Sequence, residues 1–146
     1  MKVYLDNCAL QRPLDEKNQI RIVLEAEAIL GIFTLCESGK IELLSSDALV
    51  FENQNNPDSI RKKYAYEVLA KASEFVQLNP KIEKRAKKFN EKGIKPLDAV
   101  HLASAEEAQA DYFCTCDDRF LKKAKLLKDI KVKVVSPLEL IQEIES

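Results

Sequence analysis

Five short apolar runs, separated by longer amphipathic stretches, constrain this chain more than any other feature. The runs occupy residues 2–6, 41–44, 74–78, 112–115 and 132–135 and are short enough to be strands. The stretches between them carry helical spacing. In 19–38, Ile22, Ala26, Ile29, Phe33 and Cys36 recur three and four residues apart, and Gly39 supplies a terminator. Further helices are expected over 46–52, capped by Ser46, and over 58–73, 81–91, 96–109, 118–127 and 138–144. Pro96 suits the first turn of its helix, and Ile82, Ala86 and Phe89 form the inward face of theirs. Residues 7–18, with Pro13 and Asn18, read as irregular. Strands alternating with helices imply parallel pairing with helices on both faces. The fold class is therefore α/β: a three-layer α/β/α sandwich around a five-stranded parallel sheet, built as one domain over residues 1–146.

At 46% hydrophobic and 32% charged residues the chain reads as an ordinary globular protein, which argues against disorder. No apolar run is long enough to span a membrane, and Met1-Lys2-Val3-Tyr4-Leu5 lacks the layout of a signal peptide, so a cytoplasmic protein is expected. Cys8, Cys36, Cys114 and Cys116 show no paired C-x-x-C spacing, which favours reduced thiols packed as small hydrophobes over a zinc site with His101.

In an open α/β sheet the functional crevice lies at the carboxyl ends of the strands, where strand order reverses. Three acids stand where such a sheet presents them. Asp6 closes the first run, Asp98 opens the helix after Lys95-Pro96-Leu97, and Asp117 follows the fourth run. Glu52 sits in the helix after the second. Two carboxylates about 5 Å apart repel by roughly 3 kcal/mol at an effective dielectric near 20. A gathered set therefore calls for a divalent cation or a cationic partner.

The net charge of −1 gives no global attraction to nucleic acid, so the local distribution decides. Basic residues bunch at 61–63, at 81–88, at Lys92 and Lys95, and from Arg119 to Lys128. Two of these bunches flank Asp98 and Asp117. Basic rims around an acidic centre suit a phosphate chain held at its edges, although each bunch alone is an ordinary solvated helix face.

The blocks Val3-Tyr4-Leu5-Asp6-Asn7, Lys95-Pro96-Leu97-Asp98-Ala99-Val100-His101-Leu102-Ala103 and Thr115-Cys116-Asp117-Asp118-Arg119-Phe120 resemble the PIN-domain family, many of whose prokaryotic members are toxin ribonucleases of toxin–antitoxin pairs. The resemblance spans essentially the whole chain. It implies the strand order 3-2-1-4-5 and a metal-dependent endoribonuclease with catalytic Asp6, Glu52, Asp98 and Asp117. It also implies an RNA substrate, an antitoxin protein as partner, and a homodimer, for which the apolar helix 19–38 offers a surface if it is not core. Asn7, Cys8 and Cys116 depart from the family's habits beside the acids, which leaves a second reading open: a catalytically degenerate module that binds RNA or a partner protein. Two other α/β phosphate chemistries fit less well. A haloacid-type phosphohydrolase needs Asp-x-Asp after the first strand, where position 8 is Cys. A receiver domain needs an Asp after the third strand, where Asn79-Pro80 stands.

Phosphodiester cleavage needs charge neutralisation at the phosphate and an activated water, which Mg²⁺ or Mn²⁺ supplies through oxygen ligands. Asp6, Asp98 and Asp117 are the candidate metal ligands, with Glu52 as base, as holder of a second metal, or as holder of a water. Asp98 and Asp117 each have a plain reading as helix N-terminal acids, and Asp118 competes with Asp117 for the ligand role. Asn7 and Asn53 either bond to the site or stabilise turns. Thr115 either orients a carboxylate or fills a strand end. Arg119 either contacts phosphate or is surface charge. His101 is expected as a core or interface histidine.

Overall fold

The computed structural model describes residues 1–146. Five strands, β1 (Lys2–Leu5), β2 (Glu42–Ser46), β3 (Glu74–Val76), β4 (Tyr112–Cys114) and β5 (Lys133–Val135), form one parallel sheet in the order β3-β2-β1-β4-β5. Order reverses between β1 and β4, which pair in register as Val3↔Tyr112, Tyr4↔Phe113 and Leu5↔Cys114. The parallel α/β architecture, and the order that the family resemblance implies, are both present.

Seven helices follow the sequence pattern: α2 (Ile20–Glu37), α3 (Asp47–Gln54), α4 (Ser59–Leu69), α5 (Pro80–Glu91), α6 (Pro96–Glu107), α7 (Asp118–Lys125) and α8 (Pro137–Glu145). Their starts are chemically marked. The Ser46 hydroxyl accepts the Leu49 N–H, Asn79 accepts that of Ile82, and Ser136 with Glu139 completes a reciprocal capping box.

Two segments differ from expectation. Residues 7–18 are not wholly irregular: Asn7–Leu10 form a four-residue helix, α1, and Arg12–Leu14 a 3-10 turn. The nucleus is Asp6, whose side chain caps α1 at the Ala9 N–H. The third strand stops at Val76 rather than at 78, because the Leu78 N–H bonds to Asp47 Oδ2 at 2.6 Å instead of continuing the ladder.

The core lies on both faces of the central strands. Tyr4, Leu5, Leu44 and Phe113 are buried with Ile29 and Ile32 of α2 and Leu102 of α6. Tyr4 stacks on Phe113 at 5.1 Å, and Phe113 meets Phe120 of α7 edge-on at 5.4 Å. Each such aromatic pair adds about 0.5–1.5 kcal/mol beyond its burial. These contacts seat β1, β4 and the start of α7 against one another, and with them the ends from which Asp6 and Asp117 project. In α2, Ala26, Ile29 and Ile32 are core, while Ile20, Leu24 and Leu30 on the opposite side are exposed.

Candidate functional site

The site begins at the β1–β4 pair. One residue past the paired segment, the Asp6 N–H donates to the Cys114 carbonyl at 3.1 Å, so the chain leaves β1 beside the end of β4. Asp6 is 4% exposed. Its Oδ1 accepts the Ala9 N–H and the Cys8 thiol, both at 3.0 Å. Burial, then Cys8, pushes its carboxyl well above the usual range, against the opposing effects of Thr115 and the Ala9 N–H.

On the β4 side, fully buried Thr115 accepts the Asp117 N–H at 3.1 Å and approaches Cys8 Sγ at 3.5 Å. It therefore ties the loop carrying Asp117 to the one carrying Asp6. Asp117 caps α7 through Oδ1 alone, which accepts the Arg119 and Phe120 N–H groups. Asp118 points elsewhere, with Oδ2 2.6 Å from Arg21 Nη1.

Asp98 lies in the first turn of α6, behind Pro96, and is half-buried. Burial chiefly raises its pKa; His101 and Lys95 oppose the rise, and the negative charges of Asp117 and Glu52 add to it. Asp98, Asp117 and Glu52 thus share one electrostatic neighbourhood. Asp98 and Asp117 face one cleft, together with Lys95, Arg119 and Lys123. None of Asp6, Asp98 and Asp117 has a cationic side chain within 4.0 Å.

Glu52 arrives from α3. Its Oε1 lies 2.8 Å from His101 Nε2, and the other ring nitrogen lies 2.6 Å from the Tyr4 hydroxyl. Asn7 and Asn53 do not reach the acids by these bonds. Both accept from the Gln11 amide, at 3.3 and 3.0 Å, which locks α1 to α3.

A family model for the PIN domain matches residues 3–126. The chain belongs to the PIN domain family. Among solved structures, the PIN fold here is similar to VapBC2 from Rickettsia felis bound to a DNA fragment from their promoter, at 11% identity and a TM-score of 0.60 over 93% of this chain and 98% of that one. It is also similar to PAE2754 from Pyrobaculum aerophilum, at 16% identity and a TM-score of 0.56 over 99% and 98%. No curated protein sequence matches the chain. No helix of this PIN domain is long and apolar enough to cross a membrane.

No group of three His, Cys, Asp or Glu side chains stands close enough to hold a metal ion by itself. The donor set nonetheless fits a hard divalent cation. Asp98 and Asp117 offer carboxylate oxygens with no cationic side chain within 4.0 Å, and the negative charges of Asp117 and Glu52 add to the rise that burial chiefly imposes on the Asp98 pKa, a charge that such an ion would stabilise. Mg²⁺ in particular keeps several waters and takes one or two carboxylates plus substrate phosphate oxygens, so a closed three-ligand cage is not required. Residue spacing alone missed how Glu52 is held. The signal lay in His101, one turn after Asp98 on a buried helix face.

Proposed function

We propose that this PIN domain is a Mg²⁺- or Mn²⁺-dependent endoribonuclease, the toxin member of a toxin–antitoxin pair, active in the cytoplasm as a homodimer. One observation carries the catalytic part: Asp98 and Asp117 share a cleft with Lys95, Arg119 and Lys123 and have no cation within 4.0 Å. An acidic floor under a basic rim matches a phosphodiester whose reacting phosphate needs a metal and whose neighbouring phosphates need ammonium or guanidinium groups. The toxin, antitoxin and homodimer parts rest on the family resemblance.

Asp98 and Asp117 are the residues that would hold the cation, with Asp6 as the further ligand that the family resemblance implies. When bound, it supplies charge neutralisation at the scissile phosphate and a more acidic water. The protein's own groups do the rest. Asp117 is oriented by two backbone N–H groups on one oxygen, which leaves Oδ2 for the cleft. Asp6 is likewise fixed through Oδ1. Glu52, held by His101, takes the proton from the attacking water. Arg119 and Lys95 hold the flanking phosphates.

The test is cleavage of a short single-stranded RNA by the purified chain. Cleavage in Mg²⁺ or Mn²⁺ that stops with EDTA and in Asp98→Asn supports the proposal. Cleavage that persists unchanged in Asp98→Asn sinks it. Binding of Mn²⁺ and RNA without cleavage selects the binding module instead, a reading supported by the burial that holds Asp6 toward its protonated form.

A further inference from the structure

His101 is the only histidine in the chain and is 2% exposed. It stands in an unbroken line of side chains drawn from four elements. Glu52 Oε1 of α3 lies 2.8 Å from Nε2. Nδ1 lies 2.6 Å from the Tyr4 hydroxyl of β1, which lies 2.7 Å from Ser46 Oγ at the end of β2. Ser46 Oγ in turn accepts the Leu49 N–H at 3.1 Å. Tyr4 and Ser46 are both fully buried.

Donor and acceptor roles along this line follow from its two ends. A carboxylate only accepts, so Nε2 carries the hydrogen that faces Glu52. The Nδ1 of a neutral ring is then an acceptor, and the Tyr4 O–H donates to it. The Tyr4 oxygen accepts the Ser46 hydroxyl, whose oxygen accepts the Leu49 N–H. Every buried group is satisfied in this one direction. Reversed, a neutral ring turns a bare Nε2 toward the carboxylate and leaves the Ser46 hydroxyl hydrogen to find another acceptor in the core.

We infer that Tyr4, Ser46 and His101 form a buried relay that locks His101 as its Nε2–H tautomer and thereby positions Glu52 within electrostatic reach of Asp98. His101 is a positioning residue. It touches no substrate, and its effect passes through one oxygen of Glu52. One end of the line is anchored on a backbone N–H in the core. The other ends on a partly exposed carboxylate whose charge is felt by Asp98. Glu52 has three side-chain rotors, and the relay fixes the oxygen that they would otherwise let wander. The consequence for rate rests on the endoribonuclease reading, whereas the tautomer does not.

Two measurements test the relay on the full chain. A long-range ¹H–¹⁵N spectrum of histidine-labelled protein near neutral pH contains one ring. It should show Nε2 protonated and Nδ1 bare, with that single tautomer lost in Tyr4→Phe. In RNA cleavage, His101→Leu should lower kcat by about 10–100-fold at unchanged KM, the usual range for an outer hydrogen-bond partner. His101→Gln, whose amide can still donate to Glu52, should recover part of that loss. Circular dichroism checks that each variant is folded, and Tyr4→Phe serves in place of His101→Leu if the latter is not. An Nδ1–H tautomer in the wild type overturns the relay. So does wild-type kcat in folded His101→Leu or, where that variant does not fold, in Tyr4→Phe. A wild-type chain that cuts no RNA removes the endoribonuclease reading, and the spectrum still decides the relay.

Discussion

Asp118 Oδ2 lies 2.6 Å from Arg21 Nη1, whose guanidinium also donates to the Cys116 carbonyl at 3.0 Å and approaches Glu25 at 3.4 Å. This ion pair separates two adjacent acids that look interchangeable in sequence. Asp118 is turned toward α2, where buried Glu25 joins Arg12 to Arg21. Asp117 keeps the cleft.

The two acids should therefore behave differently. Asp117→Asn retains an oxygen able to cap α7, so the helix survives while the charge is lost. RNA cleavage should fall by two orders of magnitude or more, as expected when a group contributing several kcal/mol of charge stabilisation is removed. Asp118→Asn should leave kcat within a few-fold and cost about 0–1 kcal/mol, because the pair it breaks is largely exposed. Cleavage assays and denaturant melts of both variants check this. Equal losses of activity would mean that the acids share the role.

Burial gives the site a pH signature. The carboxyls of Asp6 and Asp98 both sit above their ordinary value of 3.8, chiefly through desolvation. Below that value the folded and unfolded chains are both protonated there, and these groups carry no penalty. As pH rises, the unfolded chain ionises first, and the fold loses stability until the raised folded-state values are passed. Asp98→Asn should therefore raise Tm at neutral pH, with a gain that disappears as pH falls below the ordinary carboxylate range. Melts of wild type and variant across pH read this directly. A loss of Tm at neutral pH that fades toward acid would mean that Asp98 is ionised at a profit.

A divalent cation should act in the opposite sense to burial. With metal at 100 times its Kd, binding to the folded chain alone adds about 2.7 kcal/mol. Mn²⁺ should raise the wild-type Tm at neutral pH, EDTA should reverse the rise, and Asp98→Asn should blunt it. The metal response and the variant's own gain should not add, since both act on the same half-buried charge of Asp98. Calorimetric titration with Mn²⁺ measures the same quantity without heating.

What the sequence made legible were the features with a period or a marker. Strand–helix alternation gave the parallel sheet, and Asp6 and Asp117 could be placed at strand ends because the apolar runs stop there. The helix face of Ile82, Ala86 and Phe89 is buried as its spacing implies. The pairing of β1 with β4, which sets the loops of Asp6 and Asp117 side by side, was not legible, since strand order leaves no local trace; it came from family resemblance. The four-residue α1 was invisible because it is shorter than any periodicity window and depends on one cap from Asp6. The union of Glu52 with His101 joins residues 49 positions apart through side chains alone, which no propensity reports.

The basic rim yields the last prediction. Arg119 sits one residue into the first turn of α7, exposed, lining the cleft with Asp98 and Asp117, and its guanidinium pairs with no carboxylate within 4.0 Å. Lys123, by contrast, already donates to the Gly93 carbonyl at 3.2 Å. A guanidinium free of acids is available to a phosphate oxygen, and it is not among the groups that would hold the metal or take a proton from water. Arg119→Ala should therefore raise KM for RNA while changing kcat little, since it removes binding shared by ground and transition states. For single-stranded RNA, the loss of one phosphate contact should reduce the slope of log K against log salt by about 0.7. Lys95→Ala should do the same, and the two changes should add if they grip different phosphates. Salt-dependent binding isotherms decide it. An unchanged slope in Arg119→Ala would return that residue to ordinary surface charge and shift the phosphate path toward Lys95 and Lys123.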